Sequence, residues 1–502
     1  MEQRNSMYAE YMAIFGSMAY VIIMLGVIML LPILILPFYP DEANQIQCFI
    51  VPGVLSIFAG YLIKLFTADY KLTNLNLRRH SGSVIVLLIW IVSILAGSVP
   101  FLLTGDYTFT QAIFEATSGF TTTGFTVTNV EEVSHLILLY RSVLHLFGGV
   151  GLILILSSVL SNIYGMQLFN AEGHTDRLTP SLLHSARTIL YIYLGFIIGG
   201  SILYVAFGMH WFDAINHAIS AVATGGFSTK NDSLGYWHSV PIDIVTIVLM
   251  LLGSTNFMAS LLLIKGKFRD FFSHCETRVT MFLIAVVTPI VTVMLLVNNI
   301  CPNTLSAIDN GLFQVVSILT TTGLSTLNNF LPNASFALIP LFVLMLVGGH
   351  SGSTAGGMKA GRVALAARSL FYDVREQIEP KRVVRSREIN RFGKNEKILS
   401  AEQSHNYTYL FMYMIIGFAG AFGLTLCGNS FTDSVIEFFS ALGTVGMSIG
   451  VVGLEMSNAE MWIIIGGMII ARLEIYIIIL GVSRLCMDVR EFIDNRKRRR
   501  EK

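Results

Sequence analysis

The stretch TSGFTTTGFT, residues 117–126, lies between two long apolar segments and carries five threonines, a serine and two glycines. It is too polar for a lipid-facing helix, and its flanks are too apolar for an ordinary surface loop. The stretch also recurs. AIFEATSGFTTTGFT ends at Thr126, AINHAISAVATGGFS at Ser228, GLFQVVSILTTTGLS at Ser325 and SVIEFFSALGTVGMS at Ser448, and the four align without gaps. They share a glycine at Gly124, Gly226, Gly323 and Gly446. Two residues before it stand Thr122, Thr224, Thr321 and Thr444, and six before it Ser118, Ser220, Ser317 and Ser440.

Composition places these stretches in a membrane. Of the 502 residues 54% are hydrophobic and 13% charged, against about 25% charged in soluble domains. Apolar runs long enough to cross a bilayer are expected at 12–37, 47–67, 82–103, 135–160, 182–207, 240–264, 277–297, 335–372 (interrupted), 405–427 and 459–485, ten in all. With the N-terminus inside, the inner segments hold Lys71, Arg78, Arg79, Lys265, Lys267, Arg269, Arg375, Lys381, Arg382, Arg385, Arg387, Arg391, Lys394, Lys397 and the tail NRKRRREK, with Arg368 just before Arg375 at the end of the preceding span. The only lysine or arginine of the outer segments is Lys230. This asymmetry puts both termini in the cytoplasm and explains the basic tail without nucleic acid. The five cysteines are scattered, with no CxxC pair, and read as unrelated thiols.

Each recurring stretch lies in an outer segment and begins with an apolar run too short to span, suited to a re-entrant helix. The unit is span, half-helix, polar loop, span, used four times after an N-terminal hairpin. The expected fold is an all-α polytopic membrane protein. Its units are 1–70 (hairpin), 71–165, 166–265, 266–400 (with an intramembrane loop) and 401–502 (with the basic tail). Irregular backbone at membrane depth is tolerated only in protein or around water. Four such loops about one axis offer a ring of oxygens that can replace the hydration shell of a monovalent cation. Glycine supplies the positive φ that turns carbonyls, and half-helix C-termini add partial negative charge. The candidate cation-binding residues are Thr122, Thr123, Gly124, Thr224, Gly225, Gly226, Thr321, Thr322, Gly323, Thr444, Val445 and Gly446. Glu115 and Glu437 share a slot with His217 and fit either an outer-mouth attraction for cations or a packing role.

The eighth span breaks at GGHSGSTAGG, 348–357, which cannot form a stable lipid-facing helix. Gly348, Gly349, Ser351, Gly352, Ser353, Thr354, Gly356, Gly357 and Lys359 are read as an intramembrane gate, with a structural kink as the rival. A phosphate loop is disfavoured because the lysine falls one place late and Ala360 follows it. Arg472, deep in the last span, is expected to face a cavity or partner and to meet the gate. A structural ion pair is the alternative. Arg141 reads as structural, and Lys64 can snorkel.

With TTTGFT, ATGGFS, TTTGLS, TVGMS and GGHSGSTAGGMKAGR (348–362), the chain resembles, over essentially its whole length, the Trk/Ktr/HKT superfamily of potassium transporters, and within it the bacterial TrkH/TrkG type. The resemblance implies a four-fold pseudosymmetric pore in one chain, K+ as the transported ion, a cytosolic TrkA-like nucleotide-binding ring, a homodimer and the inner membrane. In the family a glycine in the first filter, here Gly124, goes with potassium preference. Gly225, standing where 123, 322 and 445 carry threonine or valine, departs from the pattern and bears on discrimination against sodium. The function expected is potassium-selective conduction. No hydrolase, kinase or redox constellation is present in the sequence, so an enzyme is not expected. An alternating-access cation symporter is the competing reading, although such transporters commonly carry two halves, often inverted. A non-conducting scaffold would have no use for four matched loops.

Overall fold

The computed structural model describes residues 2–70, 81–151, 182–328, 330–379 and 386–500. Lys71, Arg78, Arg79, Lys381, Arg382 and Arg385 lie outside them. The chain opens with α1 (Glu2–Leu30), which runs through a 3-10 turn (Leu31–Phe38), and α2 (Gln47–Phe66). These two pack closely: a Cβ on Gly60 would lie 2.7 Å from the Ala19 carbonyl oxygen. Small residues permit such approach where lipid supplies no hydrophobic drive.

The first unit follows as α3 (Ser81–Thr104), a short α4 (Phe109–Thr121) and α5 (His135–Val150). The second is α6 (Leu182–Ala206), short α7 (Trp211–Val222) and the pair α8 (Val240–Ser254) and α9 (Phe257–Ile264). After α10 (Phe268–Ser273), the third comprises α11 (Cys275–Val297), short α12 (Thr304–Leu319), α13 (Leu338–Val347) and α14 (Ala360–Ile378). The fourth is α15 (Ser400–Leu426), short α16 (Phe431–Leu442), α17 (Asn458–Leu473) and α18 (Ile475–Arg500). The short helices start where the sequence places caps. Thr108 forms a capping box with Gln111, and Asn303 and Ser430 accept from Ser306 and Asp433 N–H groups.

Among the described residues six helices are long and apolar enough to cross a membrane, or eight if two bent pairs each count as one span. The spans expected at 240–264 and 459–485 are therefore corrected: neither is one straight helix. The first bends by 119° after Ser254, where Thr255 is extended (ψ 140°) and Asn256 caps the next helix by accepting from Met258 N–H. The second bends by 103° at Glu474, a non-glycine residue at φ 59°. The count of ten would need the interrupted 335–372 segment and the 135–160 segment, whose residues beyond 151 lie outside those described.

Among the described residues the helical class has one exception. Residues Glu388–Arg391 (β1) and Lys394–Lys397 (β2) form an antiparallel hairpin, with Glu388 opposite Lys397. Its two turn residues, Phe392 and Gly393, both have positive φ (49° and 82°), as a two-residue hairpin turn matched to strand twist requires. Ile389 is buried with Ile398 against Ala364 and Leu365.

Candidate functional site

The four short helices end alike. Thr122, Thr224, Thr321 and Thr444 are left-handed (φ 51–54°), and Gly124, Gly226, Gly323 and Gly446 follow at φ 76–88°. The N–H after each left-handed threonine returns to the recurring serine's carbonyl: Thr123 to Ser118 (3.0 Å), Gly225 to Ser220 (2.8 Å), Thr322 to Ser317 (2.9 Å) and Val445 to Ser440 (2.8 Å). Each threonine N–H returns to the residue after that serine, as in Thr122 to Gly119 (3.2 Å). This is a Schellman cap with threonine where glycine is usual. The strained conformation costs about 1 kcal/mol or more at each of the four.

The four loops close a ring. A Cβ on Gly124 would overlap the Gly225 carbonyl oxygen, one on Gly226 that of Thr322, one on Gly323 that of Val445, and one on Gly446 that of Thr123. The cyclic order is thus first, second, third, fourth and back to first. Every candidate loop residue from Thr122–Gly124, Thr224–Gly226, Thr321–Gly323 and Thr444–Gly446 belongs to this ring.

The threonine hydroxyls divide into two sets. Thr121 donates to the Thr117 carbonyl and pairs with the Thr123 hydroxyl at 2.8 Å; Thr320 and Thr322 repeat the pairing at 2.8 Å. The side chains of Thr123 and Thr322 are therefore tied into the wall, leaving their carbonyls for the ring. The recurring serine also gains a second role: Ser317 and Ser440 donate to the carbonyls of Leu324 and Met447, just beyond the ring glycine, at 2.6 and 2.8 Å.

The slot of Glu115, His217, Gln314 and Glu437 is buried throughout and braces the strand leaving each loop. Glu115 accepts from Thr126 and Thr128 hydroxyls and the Val127 N–H at 2.7–3.1 Å. His217 meets Ser228 (2.9 Å), Gln314 donates to Ser325 (2.8 Å), and Glu437 accepts from Ile449 and Val452 N–H groups (2.9 and 3.1 Å). Of the two roles open to Glu115 and Glu437, the geometry supports packing. Arg141 is buried against Glu115 at 3.2 Å and lies over the Phe227 ring.

The loop Gly348–Lys359, between α13 and α14, presses on the same ring. The Thr354 hydroxyl lies 3.0 Å from that of Thr224 and donates to the carbonyls of Val222 and Gly253 at 3.2 and 2.9 Å. The Gly356 N–H donates to the Thr321 hydroxyl at 2.8 Å, and a Cβ on Gly356 would overlap the Thr444 hydroxyl. Gly348 and Gly357 face each other so closely that a Cβ on Gly357 would lie 2.7 Å from Gly348 Cα. Ser353 donates to the His350 carbonyl (2.7 Å), the Ser351 carbonyl accepts from Asn256 (2.5 Å), and the Gly352 carbonyl accepts from Phe257 N–H (3.4 Å). The Ala360 N–H donates to the Gly349 carbonyl at 2.8 Å, and Lys359 Nζ donates to the Ala355 carbonyl.

Arg472 completes the enclosure. Its guanidinium donates to the Thr354 carbonyl at 3.0 Å, to Gly149 at 3.2 Å and to Gly148. The last two are carbonyls at the C-terminus of α5, the favourable end for a cation. Glu474 pairs instead with Arg362 (2.9 Å), whose guanidinium lies over Tyr409. In the second, third and fourth units the helix leaving the ring is thus interrupted, near Thr255, Gly348 and Glu474, and these interruptions lie around the loop. A cavity of about 690 Å³ continues from Ser351, Gly356, Lys359, Thr444 and Arg472 to Arg391 and Phe392 of the hairpin.

Four re-entrant helices whose irregular ends close one ring define a multi-pass membrane protein of the pore-loop kind. Residues 53–487 match the family model described as TrkH, a cation transport protein. The chain belongs to that family. It is 30% identical over 461 residues to an uncharacterized cation transporter of Methanocaldococcus jannaschii, covering 91% of this chain and 92% of that one. It is also 30% identical over 478 residues to the Trk system potassium uptake protein TrkH of Halomonas elongata, covering 91% and 95%. The crystal structure of the potassium transporter TrkH from Vibrio parahaemolyticus superposes with a TM-score of 0.81 at 26% identity, covering 94% of this chain and 98% of that one.

Proposed function

We propose that this chain is the potassium-conducting subunit of a Trk-type uptake system in the inner membrane, with both termini cytoplasmic. The observation that carries the proposal is the closed ring, in which the loops of four units contact one another in cyclic order through glycines of matched conformation. In this reading the carbonyls at 122–124, 224–226, 321–323 and 444–446 replace the water around K+. The hydroxyls of Thr122 and Thr444, buried and without a protein partner among the described residues, add two further oxygens. K+ is the cargo, moved down its electrochemical gradient without covalent chemistry.

The Gly348–Lys359 loop acts as the gate. It touches the left-handed threonines of the second, third and fourth units and reaches the first through Arg472, whose charge stands in the path. A TrkA-like ring docking on the basic face, and association into a homodimer, follow from kinship with Trk systems. The test is 86Rb+ uptake into proteoliposomes with K+, Na+ and Cs+ as competitors. Inhibition by K+ well ahead of Na+ is expected; equal inhibition by both, or no uptake, would overturn the assignment.

A further inference from the structure

The β-hairpin and the Gly348–Lys359 loop are joined by a buried relay that conduction itself does not require. At the hairpin turn the Phe392 N–H donates to Nδ1 of His274 at 3.2 Å, and the two rings stack with centroids 4.5 Å apart. A neutral imidazole that accepts at Nδ1 carries its proton on Nε2. That nitrogen donates to Glu276 Oε2 at 3.3 Å. The second carboxylate oxygen, Oε1, accepts the N–H of Ser351, in the loop, at 3.2 Å.

His350, one residue earlier, lies 3.7 Å from the same carboxylate. It is fixed on both sides, its Nδ1 accepting from Asn256 N–H at 3.4 Å and its Nε2 donating to Thr280 at 3.1 Å. A Cβ on Gly361 would overlap Glu276 Oε1, so the first turn of α14 also bears on this carboxylate. His274, Glu276 and His350 are all at most 5% exposed, and an imperfectly paired carboxylate at such a site is costly. The arrangement therefore favours one joint position of hairpin and loop.

The hairpin is the more movable end. Its apolar hold is the small cluster of Ile389, Ile398, Ala364 and Leu365, separate from the larger cores. Beyond the His274 contact it is also held by polar bonds at partly exposed side chains: the ion pair from Arg391 to Glu402, and donation from Arg368 and Tyr372 to the Glu388 carbonyl at 3.3 Å each. Few buried apolar contacts mark a segment that opens at low cost.

We infer that His274 and Glu276 are positioning residues that transmit the position of the Glu388–Lys397 hairpin to the Gly348–Lys359 loop, so that displacing the hairpin changes the loop's hold on the ring. This deepens the gating role above and rests on it. Spatial continuity alone does not establish coupling; a double-mutant cycle does.

The experiment uses the full chain in proteoliposomes and reads 86Rb+ uptake. Gly393→Ala disturbs the turn without touching the loop, because Gly393 is at φ 82° and a Cβ there would lie 2.6 Å from Asp270 Oδ1. The expected change in uptake is about fivefold or more, the usual scale of coupling between sites. In a His274→Ala background the same substitution is expected to change uptake by less than about twofold. Glu276→Ala should reproduce the effect of breaking the relay. Glu276→Gln keeps an acceptor for Ser351 but turns an NH2 toward the His274 Nε2–H, so it should hold the loop while uncoupling the hairpin: Gly393→Ala in this background is expected to change uptake by less than about twofold. A Gly393→Ala effect that is absent, or that persists undiminished in His274→Ala, overturns the inference, as does wild-type uptake in Glu276→Ala. If Gly393→Ala does not accumulate, Phe392→Leu, which keeps the N–H but removes the stacked ring, takes its place in the cycle under the same criteria. Failure of the wild-type protein to take up 86Rb+ would instead strike the transport assignment.

Discussion

The ring and the loop that presses on it are built on opposite principles. The ring is made four times over, from backbone: the same left-handed threonine, the same glycine and the same return bond to a serine carbonyl. Its geometry tolerates different side chains at 123, 225, 322 and 445 because the carbonyls form the shared feature. The Gly348–Lys359 loop is made once. It is held by bonds that differ at every point: a hydroxyl pair to Thr224, an N–H to Thr321, and an arginine reaching from the last unit to the first. A backbone ring can be stiff and repeated. A structure held by single side-chain bonds can exchange them.

The contrast breaks most sharply at the glycines. Gly124→Ser places a side chain against the Gly225 carbonyl in a left-handed conformation. The strain is expected to reduce potassium discrimination over sodium by about tenfold, measured as competing Na+ and K+ inhibition of 86Rb+ uptake. Unchanged preference would remove Gly124 from the filter. Next in size, deleting residues 350–355 or substituting Arg472→Ala should raise basal uptake. The charge-assisted bonds lost with Arg472 correspond to about tenfold, with ion preference retained. An unaltered basal rate in both would return the loop to the rank of a structural kink.

A third substitution sharpens the distinction between wall and pore. Glu437→Gln weakens the brace on Ile449 and Val452 and is expected to cost about 1–3 kcal/mol of stability, seen as a lower melting temperature. Its ion selectivity and salt dependence should match wild type, whereas an outer-mouth attractor would lose uptake at low ionic strength. Thr354→Val removes one hydroxyl from the loop–ring contact, about 1 kcal/mol, and should raise basal uptake a few-fold. The smallest effect is expected at Arg387→Ala on the basic face. The Arg387 hydrogen bond holds the Glu376 carboxyl below its usual range, so the pair persists at neutral pH and is lost as the pH falls through that lowered value. Uptake should not register the change.

Much of the ring was legible because its signals are local. A gapless motif with a glycine and a threonine at fixed spacing reports a backbone conformation directly. The breaks at Thr255 and Glu474 were not legible. Hydropathy runs on through LLGSTNFMASLLLI and MIIARLEIYIIIL, and the bends arise where Asn256 and Arg472 turn to meet a loop distant in sequence. The roles of Ser317 and Ser440 escaped for a related reason: spacing identifies a recurring hydroxyl but not the carbonyl it reaches. Burial of the Glu115 slot decided between two uses that sequence left equal. The hairpin was hidden among basic residues whose charge has a sufficient topological explanation, although Phe392 and Gly393 between EINR and KNEK carried a weak turn signal.

The last of the ring's four contacts joins Gly446 to Thr123, residues from opposite ends of the polypeptide. A ribosome delivering this chain into the bilayer makes the first loop long before the fourth exists. Until the C-terminal quarter arrives, the polar backbone around Thr123 lacks its neighbour and must shelter in water or in an insertion machinery. Truncation late in the chain therefore removes more than a terminal segment: it leaves the earliest loop exposed, a natural mark for membrane quality control.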